Sequence, residues 1–171
     1  MAAVVISDAS PLIGLARVNG IGWLQELFKE VLIPEVVANE LLTGGFPAEE
    51  ERLTAALEAG WLRIVSTIPD GPELPDLDEG EAASIRLALA EAGPALLLID
   101  ERSGRAIAQE LGLSIAGTAA VIGMARQRNL IPSARAVFAQ LHGSDFRIAP
   151  AVIHAVLHRC GESSIEAAGE A

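Results

Sequence analysis

Short apolar runs alternate along this chain with longer stretches whose apolar residues recur at helical spacing. Val4–Ile6, Val31–Ile33, Trp61–Thr67, Ala95–Ile99 and Leu113–Ala116 read as strands. Their apolar residues mostly run on without polar alternation, as expected for strands buried on both faces. Between them lie helical segments. The first opens at Ser10-Pro11, with Ser10 suited to the N-cap and Pro11 to the first helical position. Ile21–Phe28, Pro34 to about Leu42, Ala48–Ala59, Asp78–Ala92 and Ser103–Leu111 follow. Three more, Thr118–Arg128, Ser133–His142 and Pro150–Arg159, come after the last strand. Thr43-Gly44-Gly45, Gly60, Pro69–Pro75, Gly93-Pro94 and Gly112 supply the breaks. Strands alternating with helices predict a parallel sheet covered on both faces. No internal repeat or linker divides the chain, so one domain over 1–161 is expected. A small acidic tail over 162–171 is expected to be frayed.

In such sheets ligands gather outside the carboxyl ends of the strands. Two acids stand at such ends: Asp8 after Ala2–Ile6, and Asp100 after Ala95–Ile99. Two more share helical faces with apolar residues. Glu40 lies four residues after Val36 and three after Val37, and Glu81 lies between Leu77 and Ile85. A buried carboxylate is costly unless something compensates it, and converging carboxylates raise one another's pKa values. A divalent cation removes both penalties, which points to metal-dependent phosphoryl transfer.

Each acid also has a structural reading. Asp8 suits a turn or helix cap, although Ser10 already offers a cap. Glu40 sits where a boundary residue reaches solvent. Asp78 and Glu81 have capping-box spacing, which alone would explain both. Gly80 in that first turn lowers helix stability and suggests a close backbone approach. Asp100 is suited to cap the next helix, although Ser103 is as well placed. Thr118 reads first as a helix cap and second as a hydroxyl for phosphate or a cation's water. Arg102 and Arg105, ordinarily surface residues, lie close enough to the proposed edge to hold a phosphate. His154 and His158 have zinc-ligand spacing, but no Glu follows His154, and a surface helix explains them better.

Composition narrows the classes. With 171 residues, 51% hydrophobic, and a mean hydropathy of +0.39, the chain has enough apolar surface for a real core. Charge, Pro or Gly interrupts each apolar run within about ten residues, so no membrane span is expected. The single Cys160 and the lack of a basic leader suggest the cytoplasm. A net charge of -11 argues against a broad basic surface for duplex. It leaves room for a nucleic-acid enzyme whose metal reverses the local field. The only lysine is Lys29, which removes P-loop nucleotide chemistry.

Val5-Ile6-Ser7-Asp8-Ala9-Ser10-Pro11, Ile33-Pro34-Glu35-Val36-Val37-Ala38-Asn39-Glu40, Leu77-Asp78-Glu79-Gly80-Glu81-Ala82 and Leu98-Ile99-Asp100-Glu101-Arg102 together resemble a PIN-domain nuclease. Gly117-Thr118-Ala119-Ala120-Val121 and the ending from Phe146 to Glu162 resemble a prokaryotic subfamily close to the VapC-like toxins. The resemblance implies a three-layer α/β/α sandwich with a central parallel sheet. It implies Mg²⁺ or Mn²⁺ and hydrolysis of single-stranded RNA. The family's acids map to Asp8, Glu40, Glu81 and Asp100, with Glu where many members carry Asp at the third position. Its hydroxyl positions map to Ser10 and Thr118. Arg102 and Arg105 are then the candidates for substrate phosphate. A toxin role would bring a small antitoxin partner, and the family often forms homodimers.

Two other readings compete. A phosphatase using Asp8 as nucleophile needs a second acid two residues on and a late lysine, but position 10 is Ser and Lys29 stands alone. A PIN-like module with weak or no catalysis, acting through protein contacts, fits the acidic surface.

Overall fold

The computed structural model describes residues 3–45 and 47–162. Nine of the ten residues expected to form a tail, 163–171, lie outside the described residues. The chain forms two compact units, Met1–Thr118 and Ala119–Ala171.

The first unit is built on five parallel strands: β1 (Val4–Ser7), β2 (Val31–Pro34), β3 (Leu62–Val65), β4 (Ala95–Leu98) and β5 (Ser114–Ala116). Their order is β3-β2-β1-β4-β5. From β1 the chain steps outward to β2 and β3, then returns across the sheet to β4 and continues to β5. The direction therefore reverses between β1 and β4, the kind of switch point where α/β sheets open a crevice. Ser7 pairs with Leu98, and the Asp8 amide donates to the Leu98 carbonyl at 2.9 Å. Asp8 and Asp100 thus emerge at the same edge of the sheet, from neighbouring strands.

The connecting helices are α1 (Ala9–Arg17), α2 (Ile21–Phe28), α3 (Glu35–Thr43), α4 (Pro47–Ala59), α5 (Glu79–Leu89) and α6 (Arg102–Glu110). With right-handed crossovers, the first four cover one face and the last two the other. The packing follows this arrangement: α2 and α3 lie on β2, α4 on β3, α5 on β1, β2 and β4, and α6 on β5. This is the α/β/α sandwich expected from the sequence.

Under α5 and α6, Ile6, Ile85, Ala88, Leu97, Ile99 and Ala108 form one buried cluster. Each fully buried Ile or Leu contributes on the order of 1.5–3 kcal/mol. That cluster fixes the height of α5 and α6 above the strand ends, and so the place of the residues in their first turns.

Local boundaries differ from expectation in informative ways. The expected strand over Trp61–Thr67 shortens to Leu62–Val65 because β3 is an edge strand with pairing on one side only. Asp8, not Ser10, holds the N-cap position of α1, and its side chain makes no capping bond. Glu101, not Ser103, precedes α6 as its N-cap residue.

The second unit contains α8 (Ala134–Gly143), α9 (Pro150–Arg159) and all but the first residue of α7 (Thr118–Gln127). A Cβ on Gly123 would stand 2.7 Å from Val156 Cγ1, so α7 and α9 touch closely there. Ser133 caps α8 by accepting the Ala136 amide at 3.1 Å. Glu162 is firmly held: Ser133 Oγ donates to its carboxylate at 2.9 Å, and the Ala134 and Arg135 amides point at it too. Glu162 therefore closes the α8 N-terminus instead of starting a frayed tail.

Candidate metal centre

Asp8 leaves the buried end of β1 and is itself 5% exposed. Glu81 stands in the first turn of α5 and is 6% exposed. The capping reading of Asp78 is correct as far as it goes: Asp78 Oδ1 accepts the Glu81 amide at 2.8 Å. It does not exclude the other reading, because the same turn carries Glu81 and Asp78 up to Asp8. The approach runs through Gly80. A Cβ there would stand 3.2 Å from Asp8 Oδ1, 3.4 Å from Asp78 Oδ1 and 3.4 Å from Val37 Cγ2. Ser84 Oγ, fully buried, donates to the Gly80 carbonyl at 2.7 Å and steadies the turn. Gly104 does a similar job on α6: its Cα approaches Ile99, and the Glu81 carboxyl carbon lies 3.6 Å from the position of a Cβ.

The electrostatics follow from this crowding. Burial pushes the Asp8 carboxyl from 3.8 up to about 7. The nearby Ala9 amide opposes the rise, and the charges of Asp78, Glu81 and Glu40 add to it. Glu81 is also raised, first by burial and then by Asp78. Glu40 is raised by desolvation and by Asp78. Among the described residues, no ion pair reaches Asp8, Glu40 or Glu81.

Glu40 corrects one expectation. It is exposed, because the buried stripe of α3 runs through Val37, Ala38 and Leu41 and leaves Glu40 on its flank. It joins the cluster from the rim.

Asp100 is half-buried at the carboxyl end of β4, and both of its oxygens are engaged. Oδ1 accepts the Thr118 amide and Oδ2 accepts the Thr118 hydroxyl, each at 2.7 Å. Thr118 is fully buried. Its hydroxyl serves Asp100. Arg105 is half-buried, and its Nη1 donates to the Ile99 carbonyl at 2.9 Å. Arg102 is exposed at the start of α6, and Ser10 is half-buried in the first turn of α1.

Sequence reasoning took Asp78 only as a cap, although it lies close enough to raise the carboxyls of Asp8, Glu40 and Glu81. The signal for its second role was Gly80, since a glycine in a first turn marks a close approach. Among the described residues, no three His, Cys, Asp or Glu side chains come together as a ready cage for a cation. Mg²⁺ does not require one, because it keeps several waters and takes one or two carboxylates directly. The donor set fits a hard divalent cation: oxygen only, negative, partly dry, and, among the described residues, without an ion-paired Arg or Lys. Asp8, Glu81 and Asp100 are the residues that would hold it, directly or through its water.

The profile of a family described as DUF3368, PIN domain, matches residues 4–162. Among solved structures, the chain resembles a PilT N-terminus domain protein from the hyperthermophilic archaeon Sulfolobus solfataricus P2. The TM-score is 0.54 at 17% identity, over 69% of this chain and 89% of that one. At that identity the likeness concerns the fold. No curated protein matches the chain. Among the described residues, no helix is long and apolar enough to cross a membrane.

Proposed function

The chain belongs to the PIN-domain family, and from that premise we propose that it is a metal-dependent endoribonuclease cutting single-stranded RNA at the β1–β4 edge. PIN domains are generally nucleases that use divalent ions. In this reading the substrate is RNA, the ion is Mg²⁺ or Mn²⁺, and the setting is the cytoplasm. The observation that carries the reading is the pair of buried carboxylates, Asp8 and Glu81, brought together at a strand end with no ion pair to either among the described residues.

The chain's own residues divide the work. Asp8, Asp100 and Glu81 would hold the cation, directly or through water, with Glu40 adding negative charge from the rim. When bound, the cation neutralises charge that builds on the phosphate oxygens during attack. Glu81, ionised beside the cation, would be placed to orient the attacking water or take its proton. Arg105, fixed by the Ile99 carbonyl, and Arg102 at the rim grip flanking phosphates, and the Ser10 hydroxyl hydrogen-bonds beside them. An unstacked strand can lower one phosphate into this recess, whereas a stiff duplex cannot bend to it.

The test is cleavage of an unstructured RNA and of the same RNA in duplex, with Mn²⁺ and with chelator. Cleavage of the single strand only, dependent on Mn²⁺ and lost in Asp8→Asn, supports the reading. Activity that persists in chelator sinks it.

The resemblance of the Phe146–Glu162 ending to a subfamily near the VapC-like toxins supports one extension. In it the protein is the toxin of a toxin–antitoxin module, with a small antitoxin partner and a homodimeric form. Growth arrest on expression, relieved in Asp8→Asn, supports that role; normal growth removes it.

A second reading is favoured by Glu40's exposure and by Asp100's engagement with Thr118. In it the fold is a weakly catalytic module that works through protein contacts. Absence of Mn²⁺ binding in wild type would select it.

A further inference from the structure

Asp100 differs from the other three acids in being held by hydrogen bonds on both oxygens. Its two donors come from a single residue, Thr118, eighteen positions along the chain on the far side of β5. The amide takes Oδ1 and the hydroxyl takes Oδ2, both at 2.7 Å, so the plane of the carboxylate is set by one rigid unit. The arrangement depends on Gly117. A Cβ there would stand 2.7 Å from Asp100 Oδ1, closer than real Cβ atoms come, and 3.1 Å from Arg105 Nη1. Thr118 is fully shielded from solvent, so water does not compete for its hydroxyl.

We propose that Gly117-Thr118 is the positioning element that presents Asp100 to the divalent cation. An ionised carboxylate has about four lone-pair sites, and Thr118 uses two of them. The remaining pair is left for a cation or its water. Ligating carboxylates are commonly oriented by such hydrogen bonds, and loss of the orienting group weakens metal binding roughly 10- to 100-fold. Free rotation about the Asp100 side chain would otherwise have to be frozen each time the ion binds. Thr118 touches neither ion nor RNA and acts through Asp100 alone.

The inference rests on the metal-dependent reading above, and its test is read by Mn²⁺ affinity as well as by cleavage. Calorimetry with Mn²⁺ is run on wild type, Thr118→Val, Thr118→Ala and Thr118→Ser. Valine keeps the shape and removes the hydroxyl. Alanine removes the hydroxyl with different packing, so a folding fault in one variant leaves the other to decide. Both are expected to weaken Mn²⁺ binding by roughly 10- to 100-fold. Serine is expected to stay near wild type. Gly117→Ala, which drives a methyl into Oδ1, is expected to resemble valine. Equal Mn²⁺ affinity in Thr118→Val, Thr118→Ala and wild type overturns the proposal, as does a serine variant as weak as valine. If wild type binds Mn²⁺ tightly and cuts no RNA, the nuclease reading fails while these affinities still decide the role of Thr118.

Discussion

The Cα of Gly80 sits so close to Asp8 that a methyl group on it would stand 3.2 Å from Asp8 Oδ1. This contact places the first turn of α5, with Glu81 and Asp78, against the end of β1. The missing side chain at position 80 is therefore part of the site.

Gly80→Ala tests that contact. Alanine favours helix by about 1 kcal/mol over glycine, so thermal stability is expected to hold or rise slightly. The added methyl crowds Asp8 and Asp78, and RNA cleavage is expected to fall about tenfold, the price of a sub-ångström displacement at a reacting centre. Melting curves and initial rates on one preparation check both halves. A variant with unaltered cleavage would show that the close approach has no functional consequence.

Asp8 gives the metal-free protein a characteristic pH dependence. Its folded-state carboxyl is raised to about 7 from 3.8, so between those values the folded protein holds a proton that the unfolded chain releases. Stability must then fall as pH rises through that window. The effect reaches about 4 kcal/mol above pH 7 on the arithmetic of 1.36 kcal/mol per pH unit. In chelator, Asp8→Asn is expected to be the more stable protein near neutral pH and to converge with wild type near pH 4. Urea unfolding across the range measures the difference. A constant gap at every pH would contradict the assignment.

Much of this was legible in the chain. The five apolar runs and their flanking glycines and prolines were enough for the parallel sheet, and the residues that end β1 and β4 were recognisable as acids in the wrong surroundings. What the sequence concealed were contacts that depend on tertiary distance. Glu40 shares helical spacing with Val36 and Val37, yet the buried stripe of α3 turns toward Leu41 and leaves it outside. Ser10 and Ser103 both look like better caps than their neighbours, but each falls one or two residues inside its helix. The Thr118–Asp100 clamp joins two strand ends, and no local periodicity announces it. Glu162 read as tail because the partners that hold its carboxylate most closely, Ser133 and Ala134, lie far from it in sequence.

Gly104 sets the seating of α6. A Cβ at that position would meet Ile99 Cδ1 at 2.6 Å, and Ile99 is fully buried. Gly104→Ala is expected to destabilise the protein by about 1–3 kcal/mol, the usual cost of overpacking. Ile99→Val removes the obstructing methyl, so the alanine is expected to cost less in that background. A double-mutant cycle measures the coupling, and additive effects would rule the contact out.

Glu162 holds the α8 N-terminus. Burial raises its carboxyl, but the Ala134 amide, the Ser133 hydroxyl, the Arg135 amide and the Arg126 charge outweigh that and bring it below its usual value of 4.5. Its contribution is present above that value and lost as pH falls through the lowered one. Glu162→Gln is expected to cost about 1–3 kcal/mol at neutral pH, as for hydrogen bonds to a charged group, and little in acid. Chemical denaturation at the two pH values checks this; an equal loss at both would assign the effect to shape alone.

The central claim is that Asp8, with its acidic neighbours, is a cation site. Isothermal titration of Mn²⁺ into wild type and Asp8→Asn measures it directly at neutral pH. Wild type is expected to bind below millimolar Mn²⁺, and Asp8→Asn to bind at least about tenfold more weakly while remaining folded. A wild type that takes up no Mn²⁺ at millimolar concentration, or an Asp8→Asn protein that binds it equally well, would contradict the claim.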